Sequence, residues 1–103
     1  MNQIINEKKA QLMDICRKRR VRRLFIFGSA ISERFDAAHS DLDFLVEFHP
    51  LTPVEHADSY FGLEEDLQHL FGLPVDIIEP ETISNPYFLE AVEETKVVLY
   101  DAA

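Results

Sequence analysis

The sequence predicts an α/β (α+β) fold, a small mixed β-sheet of about four strands flanked by helices. Three observations lead there. Residues 21 to 27, Val-Arg-Arg-Leu-Phe-Ile-Phe, form a β-branched and aromatic run that stops at Gly28. Residues 41 to 48 alternate, with Leu42, Phe44, Val46 and Phe48 set against Asp41, Asp43, Leu45 and Glu47. Two proline-led helix starts, Thr52-Pro53 and Asn85-Pro86, are each followed by a helical stretch and then a short apolar run, residues 72 to 79 and 97 to 100.

In chain order, residues 2 to 19 read as a polar helix whose apolar stripe is sparse: Ile5, Leu12, Ile15 and Cys16. The first strand follows. Gly28 admits a backbone conformation closed to other residues, or close approach of a ligand. Ser29 suits the N-cap of a short helix, whose free N–H groups and positive dipole end attract phosphate oxygens; simple helix capping is the plainer role. After the alternating second strand, Thr52-Pro53-Val54-Glu55 combines a threonine cap, proline in the first turn and a glutamate that reaches back to the cap. That helix is expected to bury Ala57, Tyr60, Phe61, Leu67 and Leu70, to expose His56 and His69, and to end at Gly72 and Pro74. Its aromatic stripe fits a core better than a base-stacking platform. Asn85-Pro86 starts a last helix through about Glu94, followed by the strand at 97 to 100.

With 103 residues, 47% of them apolar, the chain is expected to form a single domain, residues 1–103, that buries roughly two-thirds of its unfolded surface. No repeat, linker or low-complexity segment interrupts it. No apolar run reaches the roughly 18 residues of a membrane-spanning helix, and Met1-Asn2-Gln3 opens a polar segment without a signal-peptide core. Cys16 is the one cysteine, which excludes an internal disulfide and fits a reducing, cytoplasmic setting. Its helical spacing with Leu12 and Ile15 favours a packed thiol over a reactive one.

The net charge is −9, yet six of the ten basic residues lie between Arg17 and Arg23. Such a run alone suggests nucleic acid. On so acidic a chain, long-range attraction to polynucleotide is disfavoured, and a basic protein surface is the more natural partner. The run has three uses open to it: lying over a phosphorylated ligand, pairing with acids of its own surface, or forming a solvated turn.

The chemistry is carried by the acids. Asp41 and Asp43, two residues apart on a strand, share one face. Carboxylates about 4 Å apart repel by roughly 4 kcal/mol at an effective dielectric near 20, a cost that a divalent cation offsets. Oxygen-only ligands suit Mg²⁺ or Mn²⁺, bound through one or two carboxylates plus substrate phosphates. Zinc is disfavoured, because His39 stands alone nearby. An isolated Asp-x-Asp more often just opens a strand; here the preceding Gly28-Ser29 turn changes the balance. The chain has no Gly-x-x-x-x-Gly-Lys-Ser/Thr, no Gly-x-Gly-x-x-Gly and no Gly-x-Ser-x-Gly, so P-loop, Rossmann and serine-nucleophile explanations fall away.

Gly28-Ser29, then Asp41-x-Asp43, then Asp76 within Gly72-Leu73-Pro74-Val75-Asp76-Ile77-Ile78-Glu79, resembles the minimal nucleotidyltransferases (MNT) of the DNA polymerase beta superfamily, from Val21 to Tyr100. The resemblance implies a palm-like sheet. It implies that Asp41 and Asp43 hold two metal ions on the triphosphate of ATP, and that Asp76 holds the metal that activates an acceptor hydroxyl. Gly28 and Ser29 would contact the departing phosphates. Members of the family often carry a basic residue directly after Gly-Ser, where this chain has Ala30-Ile31-Ser32. Arg34 is the substitute phosphate contact, against its plainer role as a solvated helix-end residue. The chain is too short for the helical lobe with which larger relatives grip their second substrate. In the family such minimal chains often act as antitoxins of a HEPN-domain RNase toxin by transferring AMP to a tyrosine of that partner, which implies a HEPN-domain partner protein, in a homo- or hetero-oligomer. A different class of function is a binding module that neutralises its partner by occlusion alone. A haloacid-dehalogenase-like phosphatase or an Asp-x-Asp nuclease is the third possibility, for which Lys96 is poorly placed.

Overall fold

The computed structural model describes residues 3–28 and 41–102. Ser29, Ala30, Arg34 and His39 lie outside the described residues. Two short helices, α1 (Gln3–Glu7) and α2 (Lys9–Lys18), precede strand β1 (Val21–Phe27). Strand β2 (Leu42–Phe48) leads to the long helix α3 (Pro53–Phe71), strand β3 (Val75–Ile78) and a 3₁₀ turn at Pro80–Thr82. Helix α4 (Pro86–Thr95) and strand β4 (Val97–Asp101) complete the order. The sheet runs β3-β2-β1-β4, with β2 and β3 parallel and the other two pairs antiparallel. The mixed four-stranded sheet with flanking helices is the expected fold class.

Alternation sorts the strands between two layers. Leu24 and Ile26 of β1 and Leu42, Phe44 and Val46 of β2 pack with Ile77 and Leu99 against Ile5, Leu12 and Cys16 and against Leu63, Leu67 and Phe71 of α3. On the other face, Phe25, Phe27 and Leu45 pack with Val92 of α4, and Ile78 and Ile83 border them. Cys16 is wholly buried, and burial pushes its thiol up to about 12, so it stays protonated and unreactive.

The signals at the start and end of α3 behave as expected. Thr52 accepts from the Glu55 N–H, Glu55 accepts from the Thr52 N–H, and Gly72 closes the helix in the left-handed conformation at φ 65°. Asn85 likewise caps α4, its carboxamide oxygen accepting from the Tyr87 and Phe88 N–H groups.

Three expectations are corrected. The helix expected across residues 2 to 19 is broken at Lys8, between α1 and α2. The buried row of α3 is Ser59, Leu63, Leu67 and Phe71, an i, i+4 ridge, whereas Ala57 is exposed and Phe61 is 65% exposed. Leu67 is buried as expected, and Tyr60 and Leu70 are half-buried against the core, so periodicity misplaced Ala57 and Phe61 and missed Ser59, Leu63 and Phe71. His56 is half-buried rather than exposed: its ring packs edge-on against Phe48, and Nε2 lies 2.6 Å from Glu79 Oε1.

Arg20 turns the chain from α2 into β1 in the left-handed conformation (φ 61°), and its carbonyl accepts from the His49 N–H at 3.1 Å. Among the described residues, no helix is long and apolar enough to cross a membrane.

Candidate active site

The acids converge on the α4 face of the sheet. Asp43 is the register partner of Asp76 across the parallel β2–β3 pair, so the two side chains stand on one face at adjacent-strand spacing, about 4.8 Å. Asp41, two residues before Asp43, lies at the mouth of β2 and is exposed, as is Asp76. Asp43 is half-buried between them. Burial pushes its carboxyl above the usual carboxylate range, and the negative charges of Asp76 and then Asp41 push it the same way. No cation of the described residues is among the causes of that shift.

Gly28 completes the described part of the cluster. It follows β1 at φ +76°, and a Cβ there would lie 2.7 Å from Asp43 Oδ2. Two constraints therefore meet at one position: the left-handed conformation and the closeness of the carboxylate both select glycine. Gly28 thus lies against Asp43 on its β1 side, while Asp76 lies on its β3 side, as the strand order requires. Ser29 and Arg34, the other two expected phosphate contacts, fall outside the described residues.

Helix α3 holds the strand that carries Asp76. Among the described residues, β3 pairs on one side only, with β2. The Tyr60 hydroxyl donates to the Ile77 carbonyl at 2.8 Å, and His56 meets Glu79 just beyond the strand. Burial, then Glu64, Asp76 and Glu79, holds the Tyr60 phenol above its ordinary range, so it remains a donor. Sequence reasoning placed Tyr60 in a packing stripe and His56 in solvent. Neither position carried a signal for this role, because a tyrosine at a helical core position looks the same whether its hydroxyl bonds a strand or water.

Five of the six basic residues between Arg17 and Arg23 are answered within the chain. Arg19 Nε lies 2.7 Å from Asp66 Oδ2, Lys18 3.9 Å from the same oxygen, Arg17 3.2 Å from Asp14, Arg20 3.1 Å from Glu55 and Arg23 2.6 Å from Glu47. Pairing with its own surface is thus one use to which the run is put. Lys96 is likewise engaged, 2.6 Å from Glu93 and 4.4 Å from the centre of the Phe25 ring.

The donor set fits a hard divalent ion. Asp76 and Asp41 both act against the charged form of Asp43, with no cation of the described residues set against them. Among the described residues, no group of three or more His, Cys, Asp or Glu is placed to hold a metal ion by itself. Magnesium sites do not need one, since waters and substrate phosphates fill most positions.

Comparison with known proteins assigns the family. The family model described as "Nucleotidyltransferase domain" matches residues 9–99. Two relatives from Methanocaldococcus jannaschii bear the name "Putative protein adenylyltransferase". MJ0128 is 34% identical over 93 residues (82% of this chain, 91% of the relative), and MJ1379 is 34% identical over 95 residues (91% and 89%). Among solved structures, one described as "Structure of putative minimal nucleotidyltransferase" superposes with a TM-score of 0.69 at 26% identity, covering 94% of this chain and 95% of the other. A toxin–antitoxin complex with AMP-PNP contains a chain of the same fold, TM-score 0.63 at 16% identity over 91% of this chain and 73% of that one. The MNT antitoxin complex with a tri-AMPylated HEPN toxin of Shewanella oneidensis gives TM-score 0.63 at 15% identity over 94% and 72%. With the match spanning nearly its whole length, this chain belongs to the nucleotidyltransferase family, whose members are transferases.

Proposed function

We propose that the chain transfers AMP from ATP to a hydroxyl of a partner protein in a Mg²⁺-dependent reaction, as the antitoxin of a HEPN/MNT pair. The observation that carries this reading is Asp43 flanked by Asp76 in register and by Gly28 in near contact. Mn²⁺ fits the same oxygen donors. The names of the M. jannaschii relatives support the protein acceptor, and the fold shared with chains from HEPN complexes supports the partner class.

Asp41 and Asp43 would hold two ions on the triphosphate, and Asp76 would share the ion nearest the acceptor. Bound there, the cations supply charge neutralisation for both the attacking and the leaving oxygen of an in-line displacement. The residues supply position. Gly28, lacking a Cβ, lets the turn after β1 approach Asp43 closely, and its backbone would contact the departing phosphates, with Ser29 and Arg34 as further contacts. Tyr60 and His56 keep β3, and with it Asp76, in register. The acceptor oxygen forms a bond to the α-phosphorus while the bond to the bridging oxygen breaks. Pyrophosphate leaves with that electron pair, and the hydroxyl proton passes to water.

The test is incubation with α-phosphate-labelled ATP, Mg²⁺ and the protein that co-purifies from the native host. Label on that partner, lost in Asp41→Asn and Asp43→Asn, is expected. Label that persists in both variants overturns the assignment. Partner neutralisation that survives both substitutions with no label in the wild type shows that occlusion alone is the function.

A further inference from the structure

Between β3, the 3₁₀ turn and α4 lies a cleft of about 540 Å³ lined by Ile78, Thr82, Ile83, Ser84, Asn85 and Phe88. Small-molecule sites span roughly 300–1,000 Å³, so the size fits one ligand. Register fixes its position. Ile78 is two residues beyond Asp76 and shares its face of the sheet. On the α4 side, Phe88 meets the Phe27 ring edge-on at 6.2 Å, and Phe27 both precedes Gly28 and is the register partner of Asp43. The cleft therefore adjoins the acid cluster and the turn proposed for the departing phosphates. A second cleft, of about 320 Å³, lies between α3 and Ile77, on the opposite face of the sheet from the acids.

We infer that the cleft beside the acids is the nucleobase subsite of the triphosphate and that it selects adenine, with Phe88 as its stacking wall and Asn85 and Thr82 reading the edge of the base. The inference rests on the proposed nucleotidyl transfer. A triphosphate held over Gly28 and the acids ends in a base one ribose away from them, and this cleft is the apolar surface that borders them on the same face.

The walls suit a base rather than a phosphate. No cation lines the cleft, and Asn85 Oδ1 already takes the Tyr87 and Phe88 N–H groups that open α4. What remains is carbon from Ile78 and Ile83, a Phe88 ring still 41% exposed, and polar atoms whose sense is set by the protein's own backbone. The two cap bonds occupy both lone pairs of Asn85 Oδ1, so its carboxamide is left as an NH₂ donor. The Thr82 hydroxyl spends its proton on the Glu79 carbonyl at 2.8 Å, so its oxygen is left as an acceptor. Ser84 can donate or accept and does not discriminate. One fixed donor and one fixed acceptor match the N7 and 6-amino edge of adenine, whereas the same edge of guanine carries two acceptors. A pyrimidine offers the Phe88 ring less surface to stack on.

The experiment is isoleucine-methyl NMR and calorimetry of the full chain with Mg²⁺ and, in turn, the non-hydrolysable analogues AMP-CPP, GMP-CPP and CMP-CPP and base-free tripolyphosphate. AMP-CPP is expected to shift the Ile78 and Ile83 methyls, which tripolyphosphate leaves in place. GMP-CPP and CMP-CPP are expected to bind about tenfold more weakly, the scale of one mismatched edge or of poorer stacking. Phe88→Ala should weaken AMP-CPP about tenfold and leave tripolyphosphate unchanged. Asn85→Ser keeps a capping oxygen and adds no charge. It should weaken AMP-CPP about fivefold, the scale of one lost hydrogen bond, with tripolyphosphate binding retained. AMP-CPP that binds without moving the two methyls, or no tighter than tripolyphosphate, overturns the base subsite alone. GMP-CPP that binds as tightly as AMP-CPP overturns the selection of adenine. If neither AMP-CPP nor tripolyphosphate binds, the transfer reading fails and the subsite with it.

Discussion

Asp66 and Asp43 are the same residue type in opposite surroundings. Asp66 meets Arg19 at 2.7 Å, and that hydrogen bond holds its carboxyl below the usual range even against partial burial. Asp43 meets burial and two further carboxylates, and is held above it. The first acid joins α2 to α3 and favours the fold whenever ionised. The second opposes the fold when ionised, which is the arrangement expected of a group whose counter-charge arrives with a ligand. The contrast divides the molecule: the α2–α3 layer is electrostatically closed, and the α4 face is left open around three acids.

The largest effect that would break the comparison is kinetic. Asp43→Asn keeps the shape and removes the charge, and AMP transfer measured with labelled ATP should fall by about a hundredfold or more, the scale of losing a principal transition-state stabiliser. Asp66→Asn should leave the rate within about twofold, since surface substitutions remote from a site act mainly through stability. Equal losses in the two variants would erase the distinction.

Next is Gly28→Ala. The added Cβ meets Asp43 Oδ2 and forces a side chain into the left-handed region, so chemical denaturation should show a loss of about 2 kcal/mol. Combining it with Asp43→Ala should recover part of that loss, because the clash partner is gone; a purely additive pair would mean that backbone strain alone selects glycine.

The acid pair should then show opposite pH dependence. Asp66 has a folded-state value below its unfolded one, so its contribution is present above the unfolded carboxylate value of about 3.9 and is lost as pH falls through the folded value. Asp66→Asn should therefore cost about 1 kcal/mol at pH 7, allowing for a partly solvated pair, and nothing in strong acid. Asp43 has a folded-state value above its unfolded one. Its favourable contribution is complete below about 3.9, where it is protonated in both states, and is lost as pH rises through the folded value.

The smallest effect follows from the same sign. Asp43→Asn should raise stability at pH 7 by roughly 0.5 kcal/mol, after screening, in the absence of divalent ions. Adding Mg²⁺ at ten times its dissociation constant should stabilise the wild type by about 1.4 kcal/mol and the variant by less, read as a shift in Tm. A wild type indifferent to Mg²⁺ would leave the open acid cluster without its counter-charge.

Much of this was legible in residue order because the signals are local. The run from Val21 to Phe27 is strand β1 to the residue, and the Thr52-Pro53-x-Glu55 cap opens α3 as its chemistry demands. Asp41, Asp43 and Asp76 were singled out by spacing and by resemblance, and the register of β2 and β3 puts two of them side by side. The buried row of α3 was legible only in part: Leu67 is buried as expected, but Phe61 looks as suited to a core as Leu63 until the layer it would face is known. The clamp on β3 by Tyr60 and His56, and the closure of the basic run onto Asp66, Glu55 and Glu47, depend on residues far apart in the chain.

The amino-acid order by itself determined the helices, the strands, their caps and the residue types fit for metal and phosphate, because propensity, capping and period act within a few residues. Only the tertiary structure decided that β3 lies parallel to β2 rather than elsewhere in the sheet, that Gly28 rests against Asp43, and that Arg19 answers Asp66 instead of a ligand. Those outcomes depend on which apolar faces bury one another across the whole chain, and no local stretch of sequence contains that competition.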